Sequence, residues 1–372
     1  MPISFTSRQN RLIQSMQAEG LDAIMLNPGP SLVYLTGLQF HLMERPVVAI
    51  FTPHTEPMLI MPELERPKVE GLPYPLGVFT YGDNPAAWAS AFEQAVHAAR
   101  LENALIGVEP RQLRVLELRF VEAAAGGARF QSAEGCLSAL RVCKDAEEIA
   151  AMRAAVDIAQ RALQATLPAV KVGMCEKEIA AELTIQLLRA GSQTEMPFAP
   201  IVSAGPNSAN PHAAPSERPL TAGDVLVIDW GAAYEGYVSD LTRTFAVGTV
   251  EAELAHIAEI VAAANAAGRA AARPGVPAGE VDRAARQVIE AAGYGPYFTH
   301  RTGHGIGLEG HEGPYIFAEN GLILQAGMAF TVEPGIYLPG RGGVRIEDNL
   351  VITTTGAECL SSLPRHLLTL AA

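Results

Sequence analysis

A two-domain α/β (α+β) protein is the expectation for this chain, and three observations carry it. At 372 residues the chain is longer than one hydrophobic core usually serves. Short apolar runs alternate along it with segments of helical periodicity. Near residue 145 a helix-capping pattern opens a second, more regular series of alanine-rich helices and acid-bearing hairpins. The boundary is placed so that residues 1–138 form a smaller α/β domain and residues 139–372 a larger one built from two similar αβ units.

Apolar residues recur at helical spacing from about Ser7 to Gly20, through Leu12, Ile13 and Met16. LDAIMLN then reads as a buried strand, PGPSLVYLTG as a loop, and VVAIFT and MLIMP as further strands between Pro- and Gly-containing turns. WASAFEQAVHAARL is another helix, and the first domain ends near LSALRVCKD. Asp145, with Glu148 three residues on, forms a capping box for the amphipathic helix AEEIAAMRAAVDIAQRALQAT. Beyond it come helices over Lys177 to Ala190, Glu253 to Arg273 and Glu280 to Ala292. With two hairpins interleaved, the order is helix, helix, hairpin, twice over.

Composition narrows the function classes. Nearly half the residues are apolar and 18% are charged, as in globular proteins. No uninterrupted apolar run is long enough to span a bilayer, so no membrane partner is expected. MPISFTSRQNRLIQSM lacks the charged start and apolar stretch of a secretory signal, which makes the cytoplasm the expected address. Cys136, Cys143, Cys175 and Cys359 form no C-x-x-C pair, arguing against a zinc knuckle or redox dithiol. A net charge of −13 without a long basic run disfavours a nucleic-acid partner.

The hairpins carry the chemistry. In VLVIDWGAAYEGYVSDLTRTFAVG, Asp229 follows four apolar residues and Asp240 opens the return; in AFTVEPGIYLPGRGGVRIEDNLVIT, the strand Ala329 to Val332 runs into Glu333 and the return strand VRIEDNLVIT brings back Glu347. Folding each hairpin about its turn sets Asp229 roughly opposite Asp240, and Glu333 opposite Glu347 about Gly340. Four carboxylates in apolar surroundings repel one another and lose hydration unless a cation neutralises them. Between the hairpins lies HRTGHGIGLEGHEGP, where His304 can add a neutral imidazole. One imidazole with four carboxylates is too rich in oxygen for structural zinc and suits a pair of divalent ions. Taken singly, each residue has an ordinary explanation as a turn former, a surface charge or a hydrogen-bonded loop histidine; their coincidence is what singles them out.

DWGAAYEGYVSDLTRTF, FTHRTGHGIGLEGHEGP, TVEPGIY and GGVRIED resemble the signature blocks of the metallopeptidase family that includes Xaa-Pro dipeptidase (prolidase), aminopeptidase P and methionine aminopeptidase. PIVSAGPNSANPHA resembles a block of its proline-specific branch, and DAIMLNPGPSLVYLTG, more weakly, the N-terminal domain of prolidase and creatinase relatives. The resemblance implies a creatinase/prolidase-like domain followed by a pita-bread domain with pseudo-twofold αβ repeats. Carried over residue by residue, it implies that Asp229, Asp240, His304, Glu333 and Glu347 bind two divalent metal ions, with Asp240 and Glu347 bridging. Manganese is the first expectation, and cobalt, iron and zinc also fit such donors. His212 and His311 match histidines that family members place around the substrate carbonyl, and Glu333 becomes the proton carrier. Arg345, two residues before Glu347, is expected on the same strand face, orienting that carboxylate or the substrate. A homodimer, with the first domain of one subunit near the active site of the other, is implied by the same analogy.

The expected reaction is hydrolysis of the peptide bond before proline, in a small peptide with proline at its second position. Xaa-Pro dipeptides are preferred, with aminopeptidase P action on longer peptides as the alternative. Two further readings stay open, a metal-dependent hydrolase of a non-peptide amide and a non-catalytic binding module; a metal-free creatinase-type hydrolase is disfavoured by the complete ligand set. Dipeptide preference requires a cation for the free carboxylate. Several prolidases that resemble the chain carry an arginine just after H-E-x-P or before the T-x-E-P strand, but here Tyr315 follows HEGP and no Lys or Arg lies between Glu312 and Glu333. Arg301, Arg341 or a residue of a partner subunit are the remaining candidates.

Overall fold

The computed structural model describes residues 4–370; residues 1–3, which begin the N-terminal stretch considered above, and residues 371–372 lie outside them. The chain forms two compact units, Met1–Arg141 and Val142–Ala372. No helix among the described residues is long and apolar enough to cross a membrane.

The first unit runs α1 (Phe5–Glu19), β1 (Ala23–Leu26), α2 (Pro30–Thr36), β2 (Val48–Phe51), β3 (Met58–Pro62), β4 (Gly77–Tyr81), α3 (Trp88–Ala99), β5 (Leu105–Val108), α4 (Val115–Ala124), β6 (Arg129–Ser132) and α5 (Glu134–Arg141). Its strands form a mixed sheet in the order β4-β3-β2-β1-β5-β6. Phe92, Val96 and Val121 of α3 and α4 pack on Met25, Ile50, Ile60 and Ile106 of the sheet. Helix α1 starts at Ser4, whose hydroxyl accepts from the Ser7 amide, and stops at Gly20 in the left-handed region. PGPSLVYLTG is not the expected loop. Pro30 sits at the start of α2 and Gly37, at φ 72°, ends it, so the punctuation that suggested a loop is the capping chemistry of a seven-residue helix.

The second unit repeats a pattern. Helices α6 (Ala146–Thr166) and α7 (Glu176–Ala190) pack together and precede β7 (Ile201–Ala204), β8 (Val225–Trp230), β9 (Ala233–Tyr234), β10 (Tyr237–Val238) and β11 (Leu241–Val247). Helices α8 (Ala252–Ala271) and α9 (Ala278–Ala291) pair in turn and precede β12 (Gly303–Gly305), β13 (Glu312–Ile316), β14 (Ala329–Val332), β15 (Gly335–Leu338), β16 (Gly342–Arg345), β17 (Asp348–Ile352), β18 (Ala357–Cys359) and β19 (Leu368–Leu370). Two main sheets result, β19-β11-β8-β7 and β13-β12-β14-β17-β18. The expected capping box opens α6: the Asp145 carboxylate accepts from the Glu147 and Glu148 amides, and Glu148 accepts from the Asp145 amide.

Side-chain alternation aims the acids. On β8, Leu226, Ile228 and Trp230 enter the core under α6 and α7, which sends Asp229 to the opposite face with Val225. On β11, Leu241, Phe245 and Val247 enter that same core, so Thr242 and, by parity, Asp240 share the face of Asp229. On β14 and β17, Phe330, Val332, Leu350 and Ile352 fill a separate core, leaving Thr331 and Asn349 on the other face.

Candidate metal centre

Both hairpins depart from their expected form, and each departure shapes the site. In the first, Asp229 pairs with Thr242 rather than Asp240, so the two acids are diagonal neighbours. The cause is the turn: β9 and β10 pair Tyr234 with Tyr237 across Glu235 and Gly236, both at positive φ (51° and 81°), and this two-residue turn shifts the register by two. In the second, the hairpin folds about Gly340 as expected, but the ladder is interrupted at Glu333–Pro334 and Ile346–Glu347. The Glu333 amide donates instead to Thr302 O, and the Glu347 amide to Thr242 O at 3.1 Å. That second bond ties the two sheets together at the site. Arg345 therefore ends β16 beyond a strand break and does not continue Glu347's strand.

The five candidate ligands converge. Among the described residues, ligand atoms of Asp229, Asp240 and Glu347 lie within 4.8 Å of one another, as do those of His304, Glu333 and Glu347, and those of Asp240, His304 and His311. His304 Nε2 is 3.2 Å from Glu333 Oε1 and 3.7 Å from Asp240 Oδ2. Glycines on either side let His304 approach this closely. A Cβ at Gly303 would meet Thr331 O at 1.9 Å, and one at Gly305 would meet Gly313 O at 2.0 Å. The His304 and His311 rings lie 3.8 Å apart between centroids. His212 occupies an exposed turn whose Pro211 carbonyl accepts from Arg345.

In Asp229 and Glu347 one carboxylate oxygen is held and the other is left without a donor. Arg345 Nη2 donates to Asp229 Oδ2 at 2.5 Å, and Thr242 Oγ1 donates to Glu347 Oε2 at 2.7 Å. Asp229 Oδ1 and Glu347 Oε1 are buried with no hydrogen-bond partner. A buried anionic oxygen without a donor is costly, so these two atoms fit a bound cation. Electrostatics agree. Burial, followed by the neighbouring carboxylates, pushes Asp240 and Glu347 well above the usual carboxylate range. Asp229 is also raised by burial, against the pull of Arg345. Burial acts on Glu333 in the same direction, but the contact with His304 outweighs it and holds that carboxyl at about 2. Four carboxylates and an imidazole suit borderline-hard divalent ions such as manganese, cobalt, iron or zinc.

Several supporting residues carry no signal in the sequence. The Asp240 amide donates to Asn349 Oδ1, and Asn349 Nδ2 donates to Asp240 O. Thr331 Oγ1 accepts from the His304 amide and donates to Glu333. Tyr337 Oη lies 2.9 Å from His300 Nε2 and accepts from Arg345 Nη1 at 3.0 Å. Arg345 spends its donors on Asp229, Thr242, Tyr337 and Pro211, so it orients Asp229 rather than Glu347 or Asp348. Arg341 is engaged elsewhere, with Glu251 and Glu253.

Comparison with known proteins agrees with this geometry. Residues 150–354 match the model of metallopeptidase family M24, and residues 8–143 that of the creatinase/prolidase N-terminal domain. A putative dipeptidase of Bacillus subtilis, YkvY, is 34% identical over 98% of this chain and 100% of its own length. The crystal structure of a prolidase from Thermococcus sibiricus superposes with a TM-score of 0.94 at 32% identity, covering 100% of both chains. That of an X-Pro aminopeptidase from Thermotoga maritima gives 0.84 at 32% identity, covering 97% of this chain and 99% of the other. With a family match over more than half its length and a site whose bare, buried oxygens call for a cation, the chain belongs to metallopeptidase family M24.

Proposed function

We propose that the protein is an Xaa-Pro dipeptidase, a prolidase, working with two divalent ions of which manganese is the first candidate. The observation that carries the reading is the pair of donorless oxygens, Asp229 Oδ1 and Glu347 Oε1, beside His304 and Glu333. Likeness to prolidases along the whole chain supports the substrate class. Asp229, Asp240, His304, Glu333 and Glu347 would hold the ions; Asp240, His304 and Glu347 each belong to two of the three ligand groups, and of these the two carboxylates can offer an oxygen to each ion. When bound, such ions polarise a scissile carbonyl and lower the pKa of water toward neutrality.

The chain's own residues do the rest. Arg345 and Thr242 each fix one oxygen of an acid, so that its other oxygen keeps a set direction. Glu333, kept ionised by its contact with His304, can accept a proton from the attacking water, then deliver it to the leaving nitrogen. Burial, then the neighbouring His304, lowers His311 to about 4, so it is neutral at pH 7. Arg301 Nη2 donates to His311 Nδ1 at 3.4 Å, which leaves the ring proton on Nε2 as a donor for a developing oxyanion. His212, in its exposed turn, is a second donor for the same oxygen.

His311→Ala is expected to lower kcat by about 100-fold or more while metal content stays unchanged; metal analysis beside steady-state kinetics checks it, and loss of metal would instead make His311 a ligand. The function itself is tested by manganese-supplemented hydrolysis of Ala-Pro, Ala-Pro-Ala and Met-Ala. Proline release from Ala-Pro alone supports the prolidase reading. Cleavage of the tripeptide replaces it with aminopeptidase P, and failure with both proline substrates removes it.

A further inference from the structure

The segment that carries His212 is fastened at its base by one buried acid. Glu176 opens α7 and is fully buried, and both of its carboxylate oxygens meet donors. Oε1 accepts from the Ala204 amide at 2.7 Å and from Asn207 Nδ2 at 3.0 Å. Oε2 accepts from the Ser216 amide at 2.9 Å, from Ser216 Oγ at 2.6 Å and from Asn207 Nδ2 at 3.1 Å. A single side chain therefore joins both ends of residues 204–216. The helix does not need it for capping, because Glu178 accepts from the Cys175 amide at 2.7 Å. Among the described residues no cation forms an ion pair with it, and Arg218 is committed to Asp224 by bonds of 2.7 and 2.8 Å. The task suits a carboxylate: both oxygens accept, whereas a glutamine would turn an N–H toward donors on one side.

What the clasp holds bears on the site. His212 is exposed, so its ring is placed by the backbone that carries it rather than by packing. That backbone touches the site at two further points: Ser208 Oγ accepts from the Gly343 amide at 2.8 Å, and the Pro211 carbonyl accepts from Arg345 at 3.2 Å. Burial is the main cause that lowers the pKa of His300 and of His311, and His212 contributes to both, which puts it within electrostatic reach of them. A donor to a developing oxyanion works only when it is held in place beforehand. We propose that Glu176 is a positioning residue, whose carboxylate clasps both ends of residues 204–216 and so holds His212 where it can donate to the substrate carbonyl. This rests on the peptidase reading and names the element that orders one of its donors.

The test is a double-mutant cycle on Ala-Pro in the manganese-loaded protein, with Glu176→Gln, His212→Ala and the two combined. His212→Ala is expected to lower kcat about 100-fold, and Glu176→Gln about 10-fold or more with KM and metal content unchanged. The combined variant should be no slower than His212→Ala alone, because loosening the loop has no further effect once the donor is gone. Losses that multiply, or a Glu176→Gln enzyme as fast as the wild type, overturn the assignment. Amide hydrogen exchange reads the clasp without turnover: Glu176→Gln should speed exchange across residues 204–216 about 10-fold or more while α6 and α8 keep their wild-type protection. Should Glu176→Gln fail to fold, Asn207→Ala removes one donor, leaves the acid in place and should loosen the same residues to a smaller extent. Unchanged exchange over 204–216 overturns the clasp whether or not peptides are cleaved. Failure of the wild type to hydrolyse any Xaa-Pro substrate speaks separately, against the peptidase reading.

Discussion

Asp240→Asn is expected to abolish metal binding and peptide hydrolysis together, lowering turnover by about 1,000-fold or more. Asp240 belongs to two of the three ligand groups and lies 3.7 Å from His304 Nε2. Asparagine keeps its size, and the backbone bonds of Asp240 to the Asn349 side chain do not depend on the carboxylate, so the fold should survive. Stability should move the opposite way. Burial, with Glu347 and Asp229 nearby, raises Asp240 well above its ordinary range, so its charge destabilises the metal-free protein. An acid whose folded pKa exceeds its unfolded value holds its proton more tightly when folded, and its destabilising charge is fully present only above the folded pKa. The metal-free wild type should therefore gain stability from this cluster as the pH falls from neutrality. At neutral pH, metal-free Asp240→Asn should melt higher than the metal-free wild type. Calorimetry with metal analysis checks both signs; a variant that keeps its metal and its activity would refute the role.

Arg243→Met is expected to cost about 3–5 kcal/mol of stability, the range for stripping one partner from a buried ion pair. Arg243 is buried on β11, directly behind the face that carries Thr242. It donates to Asp348 Oδ1 at 2.8 Å, and to the carbonyls of Glu347, Thr242, Leu363 and Pro364. One side chain thus fastens the hairpin that carries Asp229 and Asp240 to the segment that carries Glu347. Asp348 is fully buried; burial works against its charge, but Arg243 and Arg365 outweigh this and keep it below the usual range. A depressed acid contributes stability that is present above its unfolded pKa and lost only as the pH falls through the lower folded value. The clamp therefore works throughout neutral pH. Urea unfolding at pH 7 measures the loss; a change under about 1 kcal/mol would show that the remaining bonds of Asp348 suffice.

Local rules made much of this legible in the sequence. The capping box at Asp145 predicted the start of α6, and four apolar residues before Asp229 marked a strand whose alternation aims the acid away from the main core. Glu333 and Glu347 could be matched across Gly340 because that hairpin is symmetric about its turn. Signals that depend on backbone conformation were less readable. Nothing in AYEGY announces that Glu235 takes a positive φ, and that residue decides the register of Asp229. Helix α2 has only seven residues, about two turns, too few for a helical period to stand out between its Pro and Gly caps. The bonds of Arg243, Arg345 and Tyr337 join segments about a hundred residues apart, or cross a strand break, and no spacing rule encodes them.

The most direct measurement is a count of manganese ions bound by protein first stripped with chelator, made by equilibrium dialysis and elemental analysis at pH 7.5, with the melting temperature recorded alongside. Two ions per chain, or about that number, with a rise in melting temperature as the sites fill, is the predicted result. A folded chain that takes up no divalent ion at millimolar manganese, cobalt or zinc would contradict the assignment of Asp229, Asp240, His304, Glu333 and Glu347 as its metal ligands.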